Sequence, residues 1–190
     1  MEQGKLYIFF GLIASGKSTL AEAFAAEHGF PSYYTDRVRK ELAGIAATER
    51  QAEGMGQGIY SQAFTEKTYQ AMLSRAADVL QQGGKAGVVL DGSYGSEKDR
   101  STAIQLASTL GIGIHFILCS CSGDETRRRL ELRAQDPMAV SDGRWEIYIQ
   151  QKKKFEHPDE LTSDQLVLLD TEAEPSKLLR VLGKQILIRP

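Results

Sequence analysis

The chain is 190 residues long and carries 23 Lys and Arg against 25 Asp and Glu, a formal net charge of −2 at neutral pH. That length suits one α/β domain with its own core, and the near-neutral balance supplies no general field toward nucleic acid or an anionic membrane. No apolar run approaches the length of a membrane span, and the polar opening Met1-Glu2-Gln3-Gly4-Lys5 is not the start of a secretory signal, so a cytoplasmic protein without membrane partners is expected.

In chain order, the first apolar run covers 6–10 and is continuous rather than alternating, which predicts a strand covered on both faces. It leads into Gly11-Leu12-Ile13-Ala14-Ser15-Gly16-Lys17-Ser18 and then into a helix-forming segment, 17–28, that Gly29 is placed to end. Strand, GxxxxGK[ST] and helix together make the P-loop, or Walker A, pattern. Its glycines let the backbone turn tightly, so that successive N–H groups point inward at a phosphate chain, and the positive end of the helix adds to that field. The pattern predicts that Gly11, Ala14, Ser15, Gly16, Lys17, Ser18 and Thr19 cradle a nucleoside triphosphate. Lys17 would lie along the β- and γ-phosphates, and the Ser18 hydroxyl would ligate Mg²⁺.

Residues 32–35 read as a short second strand and 36–42 as a helix with Asp36 at its start. A carboxylate there either caps free N–H groups or accepts a proton from an acceptor hydroxyl opposite the γ-phosphate. Arg37 and Arg39 beside it either clamp an anionic acceptor or form the exposed side of the helix. From Gly44 to Gly58 the pattern dissolves into small and polar residues, which predicts a mobile loop folding over a substrate. A long helix follows over 61–82, with Phe64, Thr68, Met72, Ala76 and Leu80 along one face, and Gly83-Gly84 stops it. The run 86–91 is the third strand. Its terminal Asp91 matches the acidic end of a Walker B strand, which holds Mg²⁺ directly or through water, although Asp91-Gly92 also suits a plain turn.

A helix over 96–110 ends at Gly111, and 112–118 is the fourth strand. Cys119 and Cys121 are too close for an ordinary disulfide, so free thiols are expected, with metal ligation a weaker alternative because no cluster completes a site. His28, His115 and His157 are scattered and read as structural or exposed. Residues 124–133 form a charged helix whose clearest apolar contact is Leu130. Of its Arg127, Arg128, Arg129 and Arg133, two are expected at a ligand and two on the surface, and the four-residue spacing lets Arg129 and Arg133 face one ligand. A loop over 134–143, a helix over 144–155, a strand over 166–170 and a helix over 176–186 complete the chain. Asp170 reads as a turn residue. The alternation of strands and helices predicts a parallel sheet of about five strands with helices on both faces.

The ordered series of P-loop, Tyr34-Thr35-Asp36-Arg37-Val38-Arg39-Lys40-Glu41-Leu42, Val88-Val89-Leu90-Asp91-Gly92-Ser93-Tyr94, Arg128-Arg129-Leu130-Glu131-Leu132-Arg133 and Ala139-Val140-Ser141-Asp142 resembles the AAA-family P-loop kinases. That group is akin to gluconate kinase, zeta toxin and polynucleotide kinase, and the chain is similar to the ATP-binding domain often fused to an aminoglycoside-phosphotransferase-like domain. The resemblance covers about 6–155. It implies a three-layer P-loop NTPase fold with strand order 2-3-1-4-5 and a helical lid over 134–143, open without nucleotide and closed with it. It implies ATP and Mg²⁺ as cofactors, with Lys17, Asp36, Arg129 and Arg133 catalytic, Asp36 as base, Asp36 and Arg39 on the substrate side, and Ser18 and Asp91 at the metal. The adenine would lie between the helix near Arg129 and the turn 171–175. Three functions compete: a kinase for a small hydroxyl-bearing acceptor, a polynucleotide 5′-hydroxyl kinase, and a nucleotide-binding regulatory ATPase without an acceptor. The net charge disfavours nucleic acid as partner, and a monomer or homodimer is expected.

Overall fold

The computed structural model describes residues 4–46, 49, 56–82, 87–136 and 144–186. Five strands, β1 (Lys5–Phe10), β2 (Ser32–Tyr34), β3 (Gly87–Asp91), β4 (Gly113–Ser120) and β5 (Leu166–Asp170), form one parallel sheet in the order β2-β3-β1-β4-β5. The helices are α1 (Lys17–His28), α2 (Thr35–Leu42), α3 (Gln62–Gln81), α4 (Glu97–Leu110), α5 (Gly123–Gln135), α6 (Trp145–Lys154) and α7 (Pro175–Ile186). The result is the three-layer α/β/α fold and the strand order expected from the sequence.

β1 shows why its apolar run is unbroken. It lies between β3 and β4, and Leu6 through Phe10 are each no more than 1% exposed. Alternate side chains leave opposite faces. Leu6, Ile8 and Phe10 enter a core with Met72, Leu73 and Ala76 of α3 and Ala103 and Ala107 of α4. Tyr7 and Phe9 enter a second core with Leu20 and Phe24 of α1 and Leu178, Leu182 and Ile186 of α7. Full burial of a side chain such as Phe24 stabilises by about 1.5–3 kcal/mol, and the Tyr7 and Phe24 rings meet edge to face at 5.0 Å. The helices begin and end on local chemistry. Ser61, Ser96 and Ser122 accept the amides of Phe64, Asp99 and Glu125, which satisfies donors that have no partner within the helix. Gly29 and Gly111 close α1 and α4 in the left-handed conformation.

Several boundaries differ from expectation. Asp36 does not cap α2: the helix starts at Thr35 with Tyr34 in the cap position and no side-chain cap, which leaves the Asp36 carboxylate available. β4 runs on to Ser120, so Cys119 lies inside a strand, and burial pushes its thiol up to about 12. Both cysteines are free, and among the described residues no group of three His, Cys, Asp or Glu could hold a metal ion. A short 3-10 turn, Gly58–Tyr60, stands where only loop was expected. On α3 the buried face is wider than the predicted one, since Tyr69 and Leu73 join Thr68, Met72 and Ala76. Residues 137–143 of the expected lid, the stop at Gly83-Gly84 and most of the 44–58 loop lie outside the described residues. Among the described residues no helix is long and apolar enough to cross a membrane.

Candidate active site

Strands of a parallel sheet deliver their carboxyl ends to one edge, and the turns that follow them build the site there. After β1 the chain takes three positive φ angles in quick succession: 137° at Gly11, 59° at Ala14 and 84° at Gly16. At Gly11 a Cβ would lie 2.3 Å from the Cys119 carbonyl oxygen, so only glycine lets the loop turn against β4. At Gly16 a Cβ would press on Arg129 and Thr171 at 3.0 Å. The loop then feeds α1, whose first residues are Lys17 and Ser18.

The cleft at this edge has a volume of about 340 Å³. On the loop side it is lined by Leu12, Ile13, Ala14, Gly16, Lys17, Ser18 and Thr19. Lys17 Nζ donates to the Leu12 carbonyl at 3.3 Å. Gly11 stays behind the lining as the turn residue, and Ser15 is buried, its Oγ without a hydrogen-bond partner among the described residues.

Asp91 ends β3 and faces the start of α1. Ser18 Oγ donates to Asp91 Oδ2 at 2.7 Å, so the two residues expected at a metal stand together. Asp91 is 6% exposed, and among the described residues its Oδ1 has no hydrogen-bond partner. Burial raises its carboxyl above the ordinary range, against the pull of Lys17 and the Ser18 hydrogen bond. A buried carboxylate with an unsatisfied oxygen beside a hydroxyl is a hard-oxygen donor set of the kind Mg²⁺ takes.

Across the cleft, Thr35 Oγ1 donates to the Asp91 carbonyl at 2.7 Å and ties β2 to β3. Asp36 follows and lines the cleft. Its Oδ1 accepts from Arg39 Nη1 at 3.1 Å. The Arg39 side chain is only 9% exposed. It lies over the Tyr60 ring at 5.0 Å and reaches Thr65 Oγ1 at 3.4 Å. Arg37 turns outward, over Tyr34 and toward Glu22 at the surface, so of the two arginines beside Asp36 only Arg39 reaches the cleft.

The arginines of α5 separate. Arg128 pairs with Glu125 in solvent and Arg127 stacks on Trp145 at 4.3 Å. Arg133 lines the cleft with Lys17, Ser18, Asp36 and Asp91. Arg129 does not share that lining. It is held by Glu125 at 2.6 Å and donates to the Ala14 carbonyl at 3.3 Å and to Thr171 Oγ1 and O at 3.0 and 2.7 Å. Thr171 Oγ1 donates in turn to the Ser15 carbonyl at 2.6 Å. Arg129 thus braces the back of the phosphate loop against the turn after β5, and it bridges the two elements between which the adenine was expected.

Sequence reasoning missed three groups. Gln151 of α6 accepts the Ile13 amide at 2.9 Å, yet it is one of two adjacent glutamines and carries no motif. Ser93, Ser96 and Asp99 line the same cleft beyond Asp91. Ser93 is set there by a turn in which Tyr94 takes a φ of 39° and donates its amide to Tyr69 Oη. Arg100 is fully buried and binds Glu160 together with the carbonyls of Tyr94, Glu156 and His157, fastening the segment after α6 to that turn.

Comparison with known proteins agrees with this geometry. Over its full length the fold matches a gluconokinase from Sinorhizobium meliloti (TM-score 0.64, 18% identity, 98% of this chain and 93% of that one). It also matches the Mycobacterium tuberculosis APS kinase CysC in complex with AMPPNP and APS (TM-score 0.65, 18% identity, 98% and 99%). Kti12 from Chaetomium thermophilum in complex with ADP-AlF3 is similar too (TM-score 0.65, 17% identity, 95% and 98%). In sequence, the uncharacterized protein Rv2004c of Mycobacterium tuberculosis is 32% identical over 130 residues, 68% of this chain and 26% of that protein. The chain thus spans about a quarter of the length of the curated relatives it matches. The family model AAA_33, described as an AAA domain, matches residues 6–158, from β1 to the end of the segment that Arg100 fastens. The phosphate loop, the five-stranded order and that match together place the chain in the AAA_33 family, with the fold of the P-loop kinases.

Proposed function

We propose that this chain is a phosphotransferase that moves the γ-phosphoryl group of ATP to a hydroxyl of a small molecule, with Mg²⁺ as cofactor. The observation that carries this reading is the shared cleft. The phosphate loop, the Ser18–Asp91 pair, the Asp36 carboxylate and Arg39 all open into one space of about 340 Å³, room for a phosphate chain and a small acceptor. The kinase-like neighbours with bound AMPPNP or ADP-AlF3 support ATP as the nucleotide.

Phosphoryl transfer leaves little covalent work to the protein, which must position two oxygens in line and neutralise charge. In this reading the loop amides from Ala14 to Thr19 and the Lys17 ammonium hold the phosphates. Ser18 and Asp91 would hold the Mg²⁺, which would supply charge neutralisation at the phosphates. Arg133 neutralises charge from the α5 side. Asp36 takes the proton of the acceptor hydroxyl, and Arg39 aims its carboxylate through the 3.1 Å hydrogen bond while touching the acceptor. Arg129 acts from behind the loop, through Ala14 and Thr171.

The test is ADP release with ATP and Mg²⁺ alone, compared with release in the presence of sugars, nucleosides, aminoglycosides or short oligonucleotides. Stimulation by a small hydroxyl compound with a phosphorylated product supports the reading. Stimulation by oligonucleotides alone would make the chain a 5′-hydroxyl kinase, and steady release that no acceptor alters would make it a regulatory ATPase.

A further inference from the structure

We propose that Gln151 contacts the terminal phosphoryl group of the bound nucleotide, an inference that rests on the phosphotransferase reading above. Gln151 projects from α6 and accepts the backbone N–H of Ile13, the third residue of the phosphate loop, at 2.9 Å. A backbone N–H can only donate, so the side-chain atom facing it is the carbonyl oxygen. That fixes the amide. Its NH₂, with two donor hydrogens, is turned away from the loop backbone, and among the described residues it donates to nothing. Gln151 lines the same cleft as Lys17, Ser18, Asp36 and Arg133.

The course of α6 places this amide between the two substrates. At Gln151 the helix touches the phosphate loop. One turn later Lys154 and Phe155 line the cleft, Phe155 lies against Phe10 at 6.3 Å, and the Glu156 amide donates to the Gly95 carbonyl beside Ser96. Gly95 and Ser96 line the cleft, on what is the acceptor side in the proposed function. A donor held between the loop and that side meets the group that passes from one to the other. An oriented amide that needs no reorganisation suits an oxygen whose charge shifts during transfer. The alternative role is purely structural: the carbonyl satisfies an otherwise idle loop N–H, and the NH₂ faces water.

The two roles differ in which nucleotide feels the residue. The full chain and its Gln151→Ala and Gln151→Glu variants would be titrated with ADP and with AMPPNP in the presence of Mg²⁺. Gln151→Glu keeps the size of the side chain and an acceptor for Ile13, but turns a negative charge toward the phosphoryl group, and a thermal melt of each variant checks its folding. Both variants should lose about tenfold in AMPPNP affinity, the worth of one hydrogen bond to a charged group, and Gln151→Glu should lose more than Gln151→Ala. ADP affinity should stay near that of the unmodified chain. Equal losses for both nucleotides would reduce Gln151 to a loop brace, and no loss for either would also overturn the proposal. If the unmodified chain bound neither nucleotide, the phosphotransferase reading itself would fall, an outcome visible before any variant is compared.

Discussion

Asp36 and Asp91 stand on neighbouring strand ends and differ in nearly every physical respect. Asp36 has a side chain 38% exposed and hydrogen-bonded to Arg39, so one face of its carboxylate is open to the cleft. Asp91 is buried, with one oxygen unsatisfied. Asp36→Asn keeps the shape of the cleft but removes the base of the proposed transfer. Turnover with an identified acceptor should fall about 10²–10⁴-fold, while nucleotide affinity measured on the same preparation stays nearly unchanged. Asp91→Asn should instead raise the Mg²⁺ concentration needed for activity, with partial recovery at high metal. A second effect follows from burial. Because the ionised Asp91 carboxyl is disfavoured where it sits, its neutral amide replacement should raise the melting temperature of the nucleotide-free protein in chelator, while losing the further rise that Mg²⁺ and nucleotide give. A lower melting temperature in chelator would show that the carboxylate is a net structural asset.

Among the elements, the phosphate loop depends on what lies behind it. Gly11→Ala puts a methyl group into the Cys119 carbonyl with φ at 137°, a clash with rigid backbone that should cost about 3 kcal/mol or more in a denaturant melt. Gly29→Ala, at φ 65° with open space around it, should cost only about 1–2 kcal/mol. The Glu125–Arg129–Thr171 brace adds a pH dependence. Arg128 and Arg129 hold the Glu125 carboxyl down at about 2, from 4.5 when free. A depressed carboxylate contributes stability that is present above 4.5 and lost as the pH falls toward 2. The difference in melting temperature between the unmodified chain and Glu125→Gln should therefore be greatest near neutrality and close progressively in acid; a gap independent of pH would separate the brace from the charge. Where the brace was illegible in the sequence, the reason is distance. The loop, its flanking strand and its helix are contiguous, so spacing alone revealed them. Arg129 meets Thr171 across the pairing of β4 and β5; residue spacing offered only a four-residue interval to Arg133, and it was the resemblance that set the helix near Arg129 beside the turn 171–175. Gln151 and Arg100 escaped for the same cause, Gln151 binding the Ile13 amide and Arg100 the Glu156 and His157 carbonyls, all far along the chain.

For the whole molecule, unbroken apolar runs marked β1, β3 and β5, whereas β2 (Ser32–Tyr34) and β4, with Gly113 and His115, are mixed; only β1 and β3 are buried along nearly their whole length. Their order followed from a resemblance rather than from periodicity, because no local pattern says which edge a strand joins. The side of the cleft away from the phosphate loop is the least legible part. It is assembled from α2, the Gly58–Tyr60 turn, α3, the β3–α4 turn and the end of α6, from ordinary residues scattered along the chain. Arg39, Tyr60, Thr65, Ser93, Ser96 and Asp99 present donors, acceptors and an aromatic face together, which suits a small hydroxylated molecule better than a lone anion. Arg39→Ala should accordingly raise KM for the acceptor more than for ATP; equal effects on both would place Arg39 with the nucleotide.

The pairing of β1 has a kinetic side. Lys5 lies opposite Gly87 on one side and Gly113 on the other, so the strand that carries the phosphate loop gains its first neighbour only after a long excursion of the chain. Native contacts of such high sequence separation form late and slowly, because loop-closure entropy is lost before they repay it. Nucleotide can grip only a loop already seated between both neighbours. Saturating nucleotide should therefore slow unfolding while leaving the refolding rate in dilute denaturant unchanged.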